Sequence, residues 1–210
     1  MSNNRAVKDT TKNTKTIIFE EAIELFSRNG FSGVSIREIT RHTGIKESSL
    51  YNHFTSKEDL LKKIFDYYQD VISKMIPSET EIREMLAQYT PKETLMKMLM
   101  NSKNHANNPL IDKISRIVTI EQFRNERARD ISLNEKLKKP LECIKLVFTL
   151  MIEQEQIQKC DPEIMAKEYF HVIQSLVSEY NILKSFDMDT NQVEDDMKQH
   201  ISFIYETVRK

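Results

Sequence analysis

Glycine is scarce in this chain, and its absence excludes whole classes of chemistry. Only Gly30, Gly33 and Gly44 occur among 210 residues, so residues 45–210 contain none. A P-loop and a dinucleotide-binding turn both need glycine for close backbone approach to phosphate, and neither can form there. Cysteine is almost as rare. Cys143 and Cys160 lack metal-ligand spacing, and without an export signal reduced thiols are expected. No run reaches the about 18 apolar residues of a membrane span, and the polar start Ser2-Asn3-Asn4-Arg5 is no signal peptide, so a cytoplasmic protein making no membrane contact is expected. His42, His105, His171 and His200 do not cluster with cysteines or carboxylates, and Ser48-Ser49 lacks a nucleophile elbow. Neither an enzyme nor a metal or other cofactor is expected.

What is present is helical. The five prolines, Pro77, Pro91, Pro109, Pro140 and Pro162, all lie beyond the glycines. Thr90-Pro91-Lys92-Glu93, Asn108-Pro109 and Asp161-Pro162-Glu163 read as helix starts, because proline lacks an N–H that would be unsatisfied there anyway. Ile18, Ala22, Leu25 and Phe26 predict a first helix over 14–29. Ser56, with Asp59 three residues on, predicts another running toward Met75, and Pro77-Ser78 marks a junction. The β-leaning run 117–120 is too isolated to build a sheet. The fold class is all-α, with about nine or ten helices.

Gly30 to Leu61 carries the strongest signal. Ser35-Ile36-Arg37-Glu38 has the pattern of a capping box, Gly44 suits a helix end, and a second helix is predicted from Lys46 to Phe54. Leu50 and Phe54, four apart, face inward together, leaving Lys46, Glu47, Ser48, Ser49, Tyr51, Asn52 and His53 largely outward. Those donors, acceptors and rings suit DNA. Residues 1–76 hold 12 Lys/Arg against 10 Asp/Glu and the remainder 19 against 22, a slightly basic front suited to phosphate at one end. Arg5, Lys8, Lys12 and Lys15 fit a phosphate-seeking arm or a solubilising tail equally well.

The run Phe26-Ser27-Arg28-Asn29-Gly30-Phe31, then Val34 to Ile39, Thr43-Gly44-Ile45 and Leu50 to Leu61 resembles the amino-terminal domain of the TetR family of transcriptional regulators. The resemblance implies a DNA-binding domain over residues 12–74, with the helix-turn-helix at about 35–54, and an effector-binding and dimerisation domain over 75–210. It implies that Tyr51 and His53 contact phosphates or bases, and that Lys57 and Ser35 meet phosphate. Lys46, Ser48, Ser49 and Asn52 suit base edges or adjacent phosphates. Glu47 fits either an acceptor from cytosine or a first-turn acid. Thr40, Lys46 and Ser48 depart from the small residues usual in the family, so the operator sequence does not carry over.

Two late stripes bear on assembly: Tyr169, Val172, Ile173, Leu176, Tyr180 and Leu183, then Val193, Met197, Ile201, Ile204 and Val208. Periodicity alone would turn both toward their own subunit's core; the resemblance implies that they pair two subunits. Met96, Met100, Phe123, Phe148, Met151 and Met165 are candidates for an adaptable effector pocket, with plain core as the alternative. The expected function is a dimeric transcriptional repressor released from its DNA operator by a small-molecule effector. The alternative is an all-helical ligand-binding or protein-interaction module without DNA binding. The expected partners are a palindromic double-stranded operator, a second copy of the chain as homodimer, and an unidentified small-molecule effector.

Overall fold

The computed structural model describes residues 13–210, apart from the side chains of residues 102 and 104–106. Arg5, Lys8 and Lys12 of the expected arm, and the side chain of His105, lie outside the described residues. The elements are α1 (Thr14–Asn29), α2 (Ile36–Thr43), α3 (Glu47–Tyr51), α4 (Lys57–Ser73), α5 (Glu79–Gln88), α6 (Pro91–Ala106), α7 (Pro109–Glu121), α8 (Glu126–Asp130), a π-helical stretch (Ile131–Lys138), α9 (Lys139–Glu153), α10 (Pro162–Ser185) and α11 (Asn191–Val208). Since α8, the π stretch and α9 run without a break, the described residues make ten continuous helices and no strand.

Local chemistry explains most boundaries. Thr90 and Glu93 form a reciprocal box at the start of α6, with Thr90 N–H donating to the Glu93 carboxylate at 2.8 Å. Asn108 Oδ1 accepts from Leu110 and Ile111 at α7, and Asp161 Oδ1 from Glu163 and Ile164 at α10. The π stretch precedes Pro140, which cannot donate to the carbonyl of Lys136 and whose ring would crowd it. Lys139 N–H instead reaches back to the Asn134 carbonyl, and this wider winding makes room for the ring.

The chain divides into two compact units. The first holds residues up to Tyr68 together with Lys113–Arg129. Its core takes Ile18, Ala22 and Phe26 from α1, Ile39 from α2, Leu50 from α3, and Leu60 and Ile64 from α4, all fully buried. Ile114, Ile117 and Val118 are buried too; the β-leaning run is therefore a helix face. Ion pairs tie this late segment into the unit, Lys113 with Glu24 at 2.5 Å and Arg127 with Asp66.

The second unit holds Gln69–Asp112 and Asp130–Lys210. Here α10 packs between α9 and α11, with α6 against α11 and α5 against α9. Phe148, Met151, Met197 and Ile201 are fully buried at its centre. The Tyr169 hydroxyl donates to the Leu95 carbonyl at 3.0 Å, joining α10 to α6 without stranding a buried polar group. In the π stretch, burial opposes charge on Glu135, yet the Lys139 ammonium and the Gln69 amide hold its carboxyl below the usual range.

Candidate nucleic-acid interface

The interface is built on the corner between α2 and α3. Ser35 caps α2 by accepting from Glu38 N–H at 3.2 Å, so the hydroxyl half of the expected box is made. At the far end Gly44 adopts φ 71, a left-handed cap that glycine takes at no steric cost, and Ile45 N–H also returns to the Thr40 carbonyl. Thr40, where a small residue is usual, is buried with its hydroxyl donating to the Arg37 carbonyl at 3.1 Å. The polar group is satisfied within its own helix, so it is accommodated at little cost.

The second helix is shorter than its pattern predicts. α3 covers Glu47–Tyr51, and Asn52 to Phe54 continue as a tightened turn in which both His53 N–H and Phe54 N–H donate to the Leu50 carbonyl. The facing survives this correction. Leu50 and Phe54 are fully buried, while Lys46, Glu47, Ser48, Tyr51 and Asn52 are exposed and Ser49 and His53 half-buried. Lys46 stands at the N-cap of α3, where its ammonium, a donor only, makes no cap with the helix N–H groups. Between the two helices lies an open recess of about 670 Å³, lined by Arg37, Thr40, Arg41, Lys46, Glu47 and Ser48 among others. Three cations against one carboxylate make it attractive to phosphate.

Lys57 is placed differently from its expectation. Its ammonium donates to the Phe31 carbonyl at 2.9 Å and the Val34 carbonyl at 2.8 Å, and sits 4.1 Å from the Phe31 ring centre. Two of its three N–H bonds thus hold the turn leading into α2, leaving one for phosphate. Beside it Lys63, then the Thr55 N–H, hold the Asp59 carboxyl below the usual range. Glu121 of α7, missed by sequence reasoning, grips the same turn from the other side: its buried carboxylate accepts from Phe31 N–H at 3.1 Å. A partner 90 residues away leaves no local pattern to read.

The other nominated residues are scattered. Phe148 and Met151 are core, Met96 and Met165 pack against that core, Met100 is exposed, and Phe123 belongs to the first unit with 91% of its surface exposed. Phe123 thus belongs to the first unit and the other five to the second. Of the expected dimer residues, Tyr169, Ile173, Tyr180, Met197, Ile201, Ile204 and Val208 are buried in their own chain's core, and Leu176 is half-buried against it. The strongest apolar stripe of each helix is the one that closes its own subunit. The weaker outward face carries Val172 and Ile182 on α10 and Phe203 on α11, with Phe203 63% exposed. Cys143 is a buried free thiol whose burial pushes its pKa up to about 11, and Cys160 is a half-buried one.

Comparison with known proteins agrees with this geometry. Residues 18–64 match the family profile described as bacterial regulatory proteins, tetR family. An uncharacterized HTH-type transcriptional regulator of Bacillus subtilis, YerO, is 38% identical over 85 residues, which are 40% of this chain and 28% of that protein. The negative transcriptional regulator IcaR of the icaADBC biofilm operon of Staphylococcus aureus is 39% identical over 62 residues, 28% of this chain and 33% of that protein. The matches thus span about a third or less of these two relatives. Over nearly the whole chain the fold is similar to that of the transcriptional regulator FadR of Bacillus subtilis, solved in complex with stearoyl-CoA: TM-score 0.60, 20% identity, 89% of this chain and 96% of that one. The helix-turn-helix of residues 18–64 is thus matched in sequence to the tetR family of bacterial regulatory proteins, and 89% of the chain is matched in fold to a transcriptional regulator.

Proposed function

We propose that this chain is a dimeric repressor that binds a palindromic DNA operator and leaves it when a small molecule occupies the second unit. Residues 12–74 form the DNA-binding domain and 75–210 the effector-binding and dimerisation domain. The observation that carries the reading is the exposed row Lys46, Ser48, Tyr51 and Asn52, backed by the fully buried Leu50 and Phe54. A rigid apolar back with a polar, cationic front is what a groove reader needs. Ser35, Ser49 and His53 border this row, and Lys57 holds the turn that leads into α2. Repression is supported by the likeness to IcaR, named a negative regulator. The chain acts in the cytoplasm and has no enzymatic activity of its own; among the described residues no helix is long and apolar enough to cross a membrane.

An effector is supported by the fold shared with FadR, which was solved with stearoyl-CoA bound. In this chain the effector lies near Met96, Phe148, Met151 and Met165. Thr94, two residues before Met96, is fully buried with its hydroxyl unpartnered, a polar atom that a ligand would satisfy. Two copies pair through the outward faces of α10 and α11, because one recognition helix reads too few bases and a two-fold axis presents a second roughly 34–36 Å away. The effector must bind the released state better than the DNA-bound one, and the coupling is reciprocal. The test is operator binding by Tyr51→Ala and Asn52→Ala, on DNA selected by the unaltered chain. Both are expected to weaken binding at unchanged melting temperature, and unaltered affinity in both would sink the assignment.

A further inference from the structure

We propose that Lys103 of α6 anchors an acid-binding subsite in the second unit, that the Glu194 carboxylate of α11 occupies it from within the chain, and that the effector is an amphipathic organic acid whose carboxylate takes the place of Glu194. The proposal rests on the effector-binding reading above and names the chemistry of the effector. Lys103 stands where the pattern of its helix calls for core. It follows Leu95 and Leu99 at steps of four, so the three share one face, and all three are buried. A lysine is almost never buried unless paired, because its charge must leave water. Leucine or methionine would continue the stripe without that cost, so packing does not account for the ammonium.

Its surroundings suit a carboxylate. The ammonium lies 2.8 Å from Glu194 Oε2 and 4.7 Å from the centre of the Tyr180 ring, a cation over an aromatic wall. Thr190 donates its hydroxyl to Glu194 Oε1 at 3.1 Å, and Lys103, against the opposing effect of burial, holds the Glu194 carboxyl below its usual range. The Lys103 side chain is 10% exposed and that of Glu194 31%, so the carboxylate has a path into water and the ammonium does not. Asn107 Oδ1 accepts from the Tyr180 hydroxyl at 3.2 Å and from Lys184 at 2.6 Å, so two ammoniums and one carboxylate gather about Tyr180. That surplus favours an incoming anion. Asn181, three residues before Lys184 on α10, keeps a buried Oδ1 without a hydrogen-bond partner, an acceptor open to a donor on a ligand. The neighbours of the ion pair supply the apolar part: Leu99, one turn before Lys103, and Val193 and Met197, on either side of Glu194, belong to the buried core. Met96 lies seven residues before Lys103, about 10 Å along α6.

The experiment titrates octanoate, its uncharged counterpart octanamide, and octyl phosphate into wild type, Lys103→Met and Glu194→Gln by calorimetry without DNA. Octanoate is expected to bind wild type at least about tenfold more tightly than octanamide, the worth of a charge-assisted hydrogen bond. Lys103→Met, which continues the apolar stripe, is expected to bring octanoate down to the octanamide level. Glu194→Gln is expected to bind octanoate about three- to tenfold more tightly than wild type, because the internal competitor has lost its charge. A merely structural ion pair gives no such gain. The proposal is overturned if octanamide matches octanoate, if octyl phosphate binds more tightly than octanoate, or if Glu194→Gln leaves octanoate binding unchanged or weaker. It is equally overturned if neither wild type nor Glu194→Gln binds octanoate below its micelle concentration. Should Lys103→Met not fold, Glu194→Gln decides by itself. These failures, read without DNA, leave the DNA-reading function untouched, whereas octanoate that binds as expected without changing operator affinity would refute release by an effector and keep the subsite.

Discussion

Lys57 shows how one side chain can serve two ends. Its ammonium bridges the Phe31 and Val34 carbonyls, so replacing it with methionine strands two acceptors that the lysine satisfied. Lys57→Met is expected to cost about 1–3 kcal/mol in chemical denaturation, the range for charge-assisted hydrogen bonds in a half-buried site. Unchanged stability with lost operator binding would mean that Lys57 acts only as a phosphate ligand. Gly33 is constrained by space. A Cβ there would sit 2.5 Å from the Asn29 carbonyl oxygen, which belongs to backbone and cannot swing away. Gly33→Ala is therefore expected to destabilise the fold by about 1–3 kcal/mol, the cost of forcing atoms into a packed site, and an unchanged denaturation midpoint would contradict the close approach.

Among the elements, the helix starts were legible and the helix partners were not. The caps at Thr90, Asn108 and Asp161 each act within three residues, so a short window of sequence contains the whole interaction. α1 begins and ends where its apolar spacing predicts. By contrast, periodicity alone turns the apolar face of α10 toward its own subunit's core, where Tyr169, Ile173 and Tyr180 lie, whereas the resemblance implies that this face pairs two subunits. The enlistment of Lys113–Arg129 into the first unit is equally silent in the sequence, since Lys113 meets Glu24 and Glu121 meets Phe31 across long chain separations.

One inter-helix tie has a pH signature. Glu163 at the start of α10 contacts Lys167 on its own helix and Lys145 on α9, and these two lysines, Lys167 first, bring its pKa down from 4.5 to about 2. A depressed carboxylate stabilises the fold above its unfolded pKa and loses that contribution as pH falls through the folded value. The melting temperature of wild type is thus expected to converge on that of Glu163→Gln as pH falls from about 4.5 to about 2, since the glutamine lacks the titration. Parallel curves across that window would show that the tie is not made.

At the scale of the whole molecule, the proposed function requires two copies. The outward faces of α10 and α11 leave Ile182 58% exposed and Phe203 63% exposed, apolar surface whose burial against a second copy is favourable. Phe203→Glu is expected to yield a monomer in sedimentation and to lose most operator affinity while each subunit keeps its helical content. A variant that remains dimeric would place the assembly face elsewhere.

The central claim is that the exposed row around Tyr51 reads DNA as a symmetric pair, and selection of genomic DNA fragments by the purified chain tests it most directly. Footprints on the recovered fragments, repeated over a range of salt, are expected to show two protected half-sites about one helical turn apart, with affinity falling steeply as salt rises. Recovery of no enriched fragment at any salt would contradict the account, leaving a helical ligand-binding or protein-interaction module in its place.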